Sequence, residues 1–200
     1  MTAPLTTDEV LDLLRRENAL LEGHFLLSSG LHSDRYFQCA LALCDPKNAG
    51  RLAESLGAKL DERGITCDLV VGPAMGAVVM AQEVARAIGT KAFFTERKGE
   101  KGSGMLLRRG FAIAPGTRCL VVEDVVTTGG SAKEVIDLLT SLGAEVVAVG
   151  SVVNRSGGNP FEELGLPLVA LAEVTARTWD PSDPPEEFAN STPVKPGSRA

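Results

Sequence analysis

Positive charge is in short supply in this chain. Its 20 Lys and Arg residues are outnumbered by 26 Asp and Glu, which leaves a net charge of −6. Such a balance argues against a nucleic-acid or membrane-binding surface, so any anion site must be local. Histidine is rarer still: there are two, and no Ser-His-Asp or Cys-His pattern that would point to a side-chain nucleophile. The four cysteines, Cys39, Cys44, Cys67 and Cys119, include no CxxC pair. They read better as buried reduced thiols than as disulfides. No apolar run approaches transmembrane length, and Met1-Thr-Ala-Pro-Leu lacks the form of a signal peptide, so a soluble cytoplasmic protein is expected. Two hundred residues suit one domain spanning 1–200, without internal repeats or a dividing linker.

What is present centres on Leu120–Ser131. Leu120-Val121-Val122 is a short apolar run that leads into Glu123 and Asp124, then Val125 and Val126. A run of this kind, bounded by turn residues, fits a parallel strand covered on both faces. Thr127, Thr128, Gly129, Gly130 and Ser131 follow, before a helix. Glycines let backbone N–H groups converge on an anion, hydroxyls add donors, and the helix start aims its positive end at the same point. No Lys directly follows the glycines, so this is not a Walker loop. The acids lie at the carboxyl end of the strand, where open α/β sheets bind ligands. Carboxylates there repel phosphate but accept hydrogen bonds from sugar hydroxyls. A phosphate cradle beside a diol site describes a ribose 5-phosphate.

This stretch closely resembles the phosphoribosyl pyrophosphate (PRPP) signature of type I phosphoribosyltransferases. Further strand–turn–helix units support the same architecture. Asp45-Pro46 starts a helix that Gly64 ends. Leu69–Val71 runs into a small-residue turn at 72–77, which reads equally as a pyrophosphate loop or a tight structural turn. Other strands are expected at 91–95, 106–111, 146–153 and 166–174. Repeated βα units predict an α/β fold with a doubly wound, mainly parallel sheet flanked by helices. Before them, an amphipathic helix capped by Thr7 runs to about residue 20. Proline recurs from Thr178, so 178–200 is expected to be an irregular tail.

Two further segments bear on chemistry. Residues 23–39 read as two short strands around a polar turn, with His32, Asp34 and Arg35 crowding the turn and Tyr36 and Phe37 beside it. An aromatic pair next to cations suits a flat anionic ring. The segment Ser28–Gln38 resembles the N-terminal hood, here about 20–45, of orotate phosphoribosyltransferases. The resemblance implies that Tyr36, Phe37, Thr127 and Arg155 contact orotate. Arg155 stands at a strand's carboxyl end, where it can clamp a carboxylate. Residues 97–105, with three glycines and alternating charge, read as a mobile loop. They resemble the family's flexible catalytic loop, with Arg97, Lys98 and Lys101 on its basic positions. The loop lacks the His that many members carry, and Ser28 stands where many carry Lys.

The resemblance covers nearly the whole chain and implies transfer of ribose 5-phosphate from PRPP to orotate. Diphosphate is released, with Mg²⁺ carried by the PRPP diphosphate and no direct metal site on the protein. It implies that Arg97, Lys98, Lys101 and Asp124 are catalytic, and that PRPP lies on these residues, Glu123 and the segment 125–131. It also implies a homodimer whose loop reaches the neighbouring subunit's cleft. The rival readings are a purine-type phosphoribosyltransferase, which would need no carboxylate clamp, and a non-catalytic PRPP-sensing regulator. Acidic charge and single-domain length speak against a regulator.

Overall fold

The computed structural model describes residues 3–27, 29–99 and 103–196. Thr6, not Thr7, caps α1 (Thr7–Arg16), in a capping box with Glu9. The helix stops well short of residue 20 because Asn18 turns the chain at φ +53°, and Leu20 and Leu21 enter a strand instead. After the short α2 (Ala40–Leu43), α3 (Pro46–Glu62) starts as expected: Asp45 accepts from the Lys47 N–H at 2.9 Å, with Pro46 at the first position.

The main sheet is built from β3 (Leu69–Pro73), β4 (Lys91–Arg97), β5 (Met105–Leu107), β6 (Arg118–Val126), β7 (Glu145–Asn154) and β8 (Leu168–Glu173). Their order is β5-β4-β3-β6-β7-β8, with every pair parallel except β4–β5. α4 (Val78–Ile88) and α5 (Gly130–Ser141) complete the βα units. Helices cover both faces, which is why β6 reads as a continuous apolar run. Leu120 and Val122 join Leu52, Leu56, Met80 and Leu171 in one core; Cys119 and Val121 join Val135, Leu139 and Phe161 in the other. β5 is shorter than its sequence suggests, because Arg109 (φ +62°) and Gly110 (φ +77°) turn the chain outward.

A second, smaller sheet forms the hood. β1 (Leu20–Leu26) and β2 (His32–Phe37) are antiparallel, and the reversal is closed by the Leu27 N–H on the Leu31 carbonyl. His32, Asp34 and Arg35 therefore sit on a strand rather than in the turn. The stretch from Thr178 is not simply irregular. β9 (Thr178–Trp179) pairs with β2, and Val194 bridges to Phe25 on the other edge. Sparse apolar residues suffice because they are concentrated: Trp179 stacks on Phe188 with centroids 5.0 Å apart, and His24 and His32 pack beside them. His24 Nε2 and His32 Nδ1 share a hydrogen bond at 2.8 Å, and His24 Nδ1 meets Ser191 Oγ at 2.7 Å.

The cysteines are free, but only Cys39 and Cys119 are buried; Cys67 is half-buried, and Cys44, at the end of α2, is exposed. No helix of the described residues is long and apolar enough to cross a membrane.

Candidate active site

The candidate site residues gather at the carboxyl ends of the parallel strands β3, β4, β6 and β7. Glu123 closes the buried run from Cys119, with the half-buried Asp124 after it, and neighbouring strand residues face opposite ways. Asp124 lies against the small-residue turn after β3, so close that a Cβ on Gly76 would come within 3.1 Å of its Oδ2. Its Oδ1 accepts from the Val125 N–H at 2.9 Å. Glu123, 9% exposed, is buried within reach of the Arg97 charge. Burial, with Asp124 beside it, pushes the Glu123 carboxyl up to about 8 against the pull of Arg97. Burial also raises Asp124 above the usual carboxylate range, with the Val125 N–H opposing.

Val125 and Val126 pack into the walls, and Thr127 and Thr128 stand exposed at the turn. Gly129 has φ +75°, and a Cβ there would meet Phe161 Cε1 at 2.8 Å. Both demands leave only glycine. No side chain caps α5, so the N–H groups from Gly130 onward face the turn. The Ser131 hydroxyl accepts from Arg97 Nη2 at 2.8 Å, while Arg97 Nη1 holds both Glu134 oxygens at 2.9 and 3.1 Å. Arg97 thus belongs to its own chain's cradle. Glu134 goes unmarked in the sequence, since an acid on a helix face carries no signal of its own. The Lys98 N–H closes the loop base on the Gly104 carbonyl at 3.0 Å. Lys101 lies outside the described residues.

Arg155 follows β7, and its N–H donates to the Val126 carbonyl at 2.9 Å, which ties the two strand ends together. Asn154 anchors this loop, accepting from the Ser156 N–H and donating to the Gly158 carbonyl. The guanidinium is half-buried, and burial lowers its pKa against the opposing pull of Asp34. It lies 5.9 Å over the Phe37 ring, with Nη2 donating to Ser33 Oγ at 3.1 Å and Nη1 to the Arg35 carbonyl at 3.4 Å. Among the described residues, no carboxylate forms an ion pair with it. Tyr36 sits apart from Phe37, since alternate residues of β2 face opposite sides: its ring lies 6.0 Å from Phe25 and its hydroxyl donates to Gln38. The geometry therefore joins Phe37 to Arg155 and gathers Arg97, Glu123 and Ser131 around the cradle.

Residues 42–164 match the phosphoribosyl transferase domain family. Over 187 residues the chain is 51% identical to the orotate phosphoribosyltransferase of Carboxydothermus hydrogenoformans, covering 94% of this chain and 95% of that protein. The enzyme of the same name from Heliobacterium modesticaldum is 47% identical, over 98% of this chain and all of its own length (100%). Among solved structures, orotate phosphoribosyltransferase from Aeropyrum pernix superposes with a TM-score of 0.67 at 29% identity, over 82% of this chain and 93% of that one. An adenine phosphoribosyltransferase from Thermoanaerobacter pseudethanolicus (TM-score 0.61, 21% identity, 70% and 88% covered) shares the fold alone.

Proposed function

The chain belongs to the orotate phosphoribosyltransferases, and from that premise we propose how its cleft divides the reaction between the two substrates. The enzyme transfers ribose 5-phosphate from PRPP to orotate, a step of pyrimidine biosynthesis. The 5-phosphate rests on Thr127, Thr128, Gly129, Gly130 and Ser131, where unsatisfied amides and the helix dipole favour an anion. The ribose hydroxyls lie toward Glu123 and Asp124. Orotate stacks at Phe37, with Tyr36 at the edge of the hood and Thr127 below. Its carboxylate takes the N–H groups of Arg155 that the hood does not use.

The C1′–oxygen bond to diphosphate breaks with its electron pair leaving on oxygen; the ring nitrogen of orotate gives up its proton, which passes to the departing diphosphate or to solvent, and supplies the pair for the new C1′–N bond. Positive charge grows on the ribose in between. Asp124 supplies negative potential there, and Arg97, Lys98 and Lys101 meet the charge that develops on the diphosphate. Glu123 and Asp124 are two carboxylates, and the described residues hold no group of three or more fit to bind a metal on its own. Asp124 is the carboxylate this chain would offer to a Mg²⁺ that takes most of its oxygens from water and substrate phosphates. Bound with PRPP, Mg²⁺ would supply neutralisation of the charge on the leaving diphosphate. The working unit is a cytoplasmic homodimer with the loop shared between subunits.

The observation that carries this reading is Arg155: a half-buried cation, aimed by the hood, without an ion-pair partner among the described residues. Arg155→Ala should weaken orotate binding by roughly 2–5 kcal/mol, the range for truncating one member of a buried charge pair, and leave PRPP affinity almost unchanged. Titration of each ligand, with uracil, hypoxanthine and adenine as control acceptors in the Mg²⁺ assay, measures both. Equal losses for orotate and PRPP would remove Arg155 from the acceptor site.

A further inference from the structure

Ser33 lies on β2 with no exposed surface. Its hydroxyl has one donor and two acceptor positions, and all three are in use. It donates to the Arg177 carbonyl at 2.9 Å, and accepts from Arg155 Nη2 at 3.1 Å and from the Arg35 N–H at 3.3 Å. A serine hydroxyl ordinarily rotates to suit its surroundings. Here donation to Arg177 fixes the rotor, so one lone pair points permanently at the guanidinium. The other polar contact of Arg155 with the hood, Nη1 to the Arg35 carbonyl, is longer at 3.4 Å. Ser33 therefore sets the tilt of the guanidinium plane over Phe37.

Arg177 is itself held fast. Its N–H and Nε donate to the two oxygens of Asp34 at 2.9 and 3.2 Å, and its Nη2 to Glu187 at 2.6 Å. In return its carbonyl also accepts from the Asp34 N–H at 3.3 Å. A chain of hydrogen bonds thus runs from the segment after β8, through a buried hydroxyl, to the cation at the acceptor site. Two of the five guanidinium N–H groups serve this alignment, which leaves three for a ligand. Fixing a long side chain in advance removes an ordering cost from binding.

We propose that Ser33 is a positioning residue for acceptor choice, aiming Arg155 at the orotate carboxylate, and that the Arg177 carbonyl aims Ser33 in turn. The inference rests on the reading of Arg155 as the carboxylate clamp. Its test compares wild type with S33A, S33T, R155A and the double variant S33A/R155A, measuring KM and kcat for orotate and for PRPP. S33A should raise the orotate KM about tenfold, the effect of losing a hydrogen bond to a charged group, while the PRPP KM stays in place. S33T keeps the hydroxyl and should restore most of the loss. In the R155A background S33A should add nothing further for orotate, because it has no guanidinium left to aim. Additive losses in the double variant, or equal losses for both substrates, would reduce Ser33 to a structural role. A normal orotate KM in S33A beside a raised one in R155A would overturn the inference and leave the clamp standing. A normal orotate KM in R155A would overturn the clamp, and with it the inference. Should S33A fail to fold, S33C keeps the volume, offers a poorer acceptor, and must show the same split between orotate and PRPP.

Discussion

Glu123 carries two conflicting demands. Its place at the end of β6 suits a ribose hydroxyl, yet its burial beside Asp124 makes the ionised form costly. Burial pushes the folded carboxyl up to about 8 from an ordinary value of 4.5, so between these values the folded protein holds a proton that the unfolded chain has released. The sign follows: this contribution to stability is full below about pH 4.5 and falls as pH rises toward about 8, by up to ~1.4 kcal/mol per pH unit. Glu123→Gln should flatten that fall, and denaturant midpoints taken from about pH 5 to 8 measure it. Parallel curves for wild type and variant would mean an ordinary carboxyl. At this scale the sequence showed the acids plainly, because adjacent carboxylates before a glycine-rich turn are rare. It hid Glu134 and Ser33, whose meaning lies in contacts across 37 and 122 residues with Arg97 and Arg155.

Among the elements, the turn from β6 into α5 tolerates least. Gly129 needs a left-handed backbone and, at the same place, room for Phe161 and Pro160. Gly129→Ala should cost roughly 2–5 kcal/mol in unfolding free energy, adding backbone strain to overpacking, and should weaken PRPP binding more than orotate binding. Denaturant titration and separate ligand titrations test the two halves. This turn was legible because its pattern is local: apolar run, acids, hydroxyls, glycines, helix. The sheet was legible for the same reason, through repeated strand–turn–helix units. The third strand of the hood was not. β9 has two residues, too few for an alternating pattern, and its pairing with β2 depends on Trp179 reaching Phe188 and the two histidines. The sequence overstates α1 because Leu21 continues the helical spacing, while the backbone reversal at Asn18 leaves no mark in hydrophobicity.

For the whole molecule, Arg97 lies in its own chain's cradle, whereas the proposed homodimer would take Lys98 and Lys101 from the neighbouring subunit's loop. Mixing two inactive variants, Asp124→Asn and the pair Lys98→Ala/Lys101→Ala, under conditions of subunit exchange separates the possibilities. If loops act in trans, each heterodimer has one site with both defects and one intact. Random exchange then restores roughly a quarter of wild-type activity, from two-fold symmetry. If loops act in cis, every site keeps one defect and the mixture stays silent. The hood has a different consequence, one of timing. Its hydrogen bonds join residues 144 and 167 positions apart, Ser33 to Arg177 and His24 to Ser191. A ribosome makes the chain from its first residue onward, and contacts of such separation wait for their later partner. The segments that cradle the phosphate all precede Trp179 and Val194, so the acceptor hood is the last part of the site whose residues are all present on the ribosome.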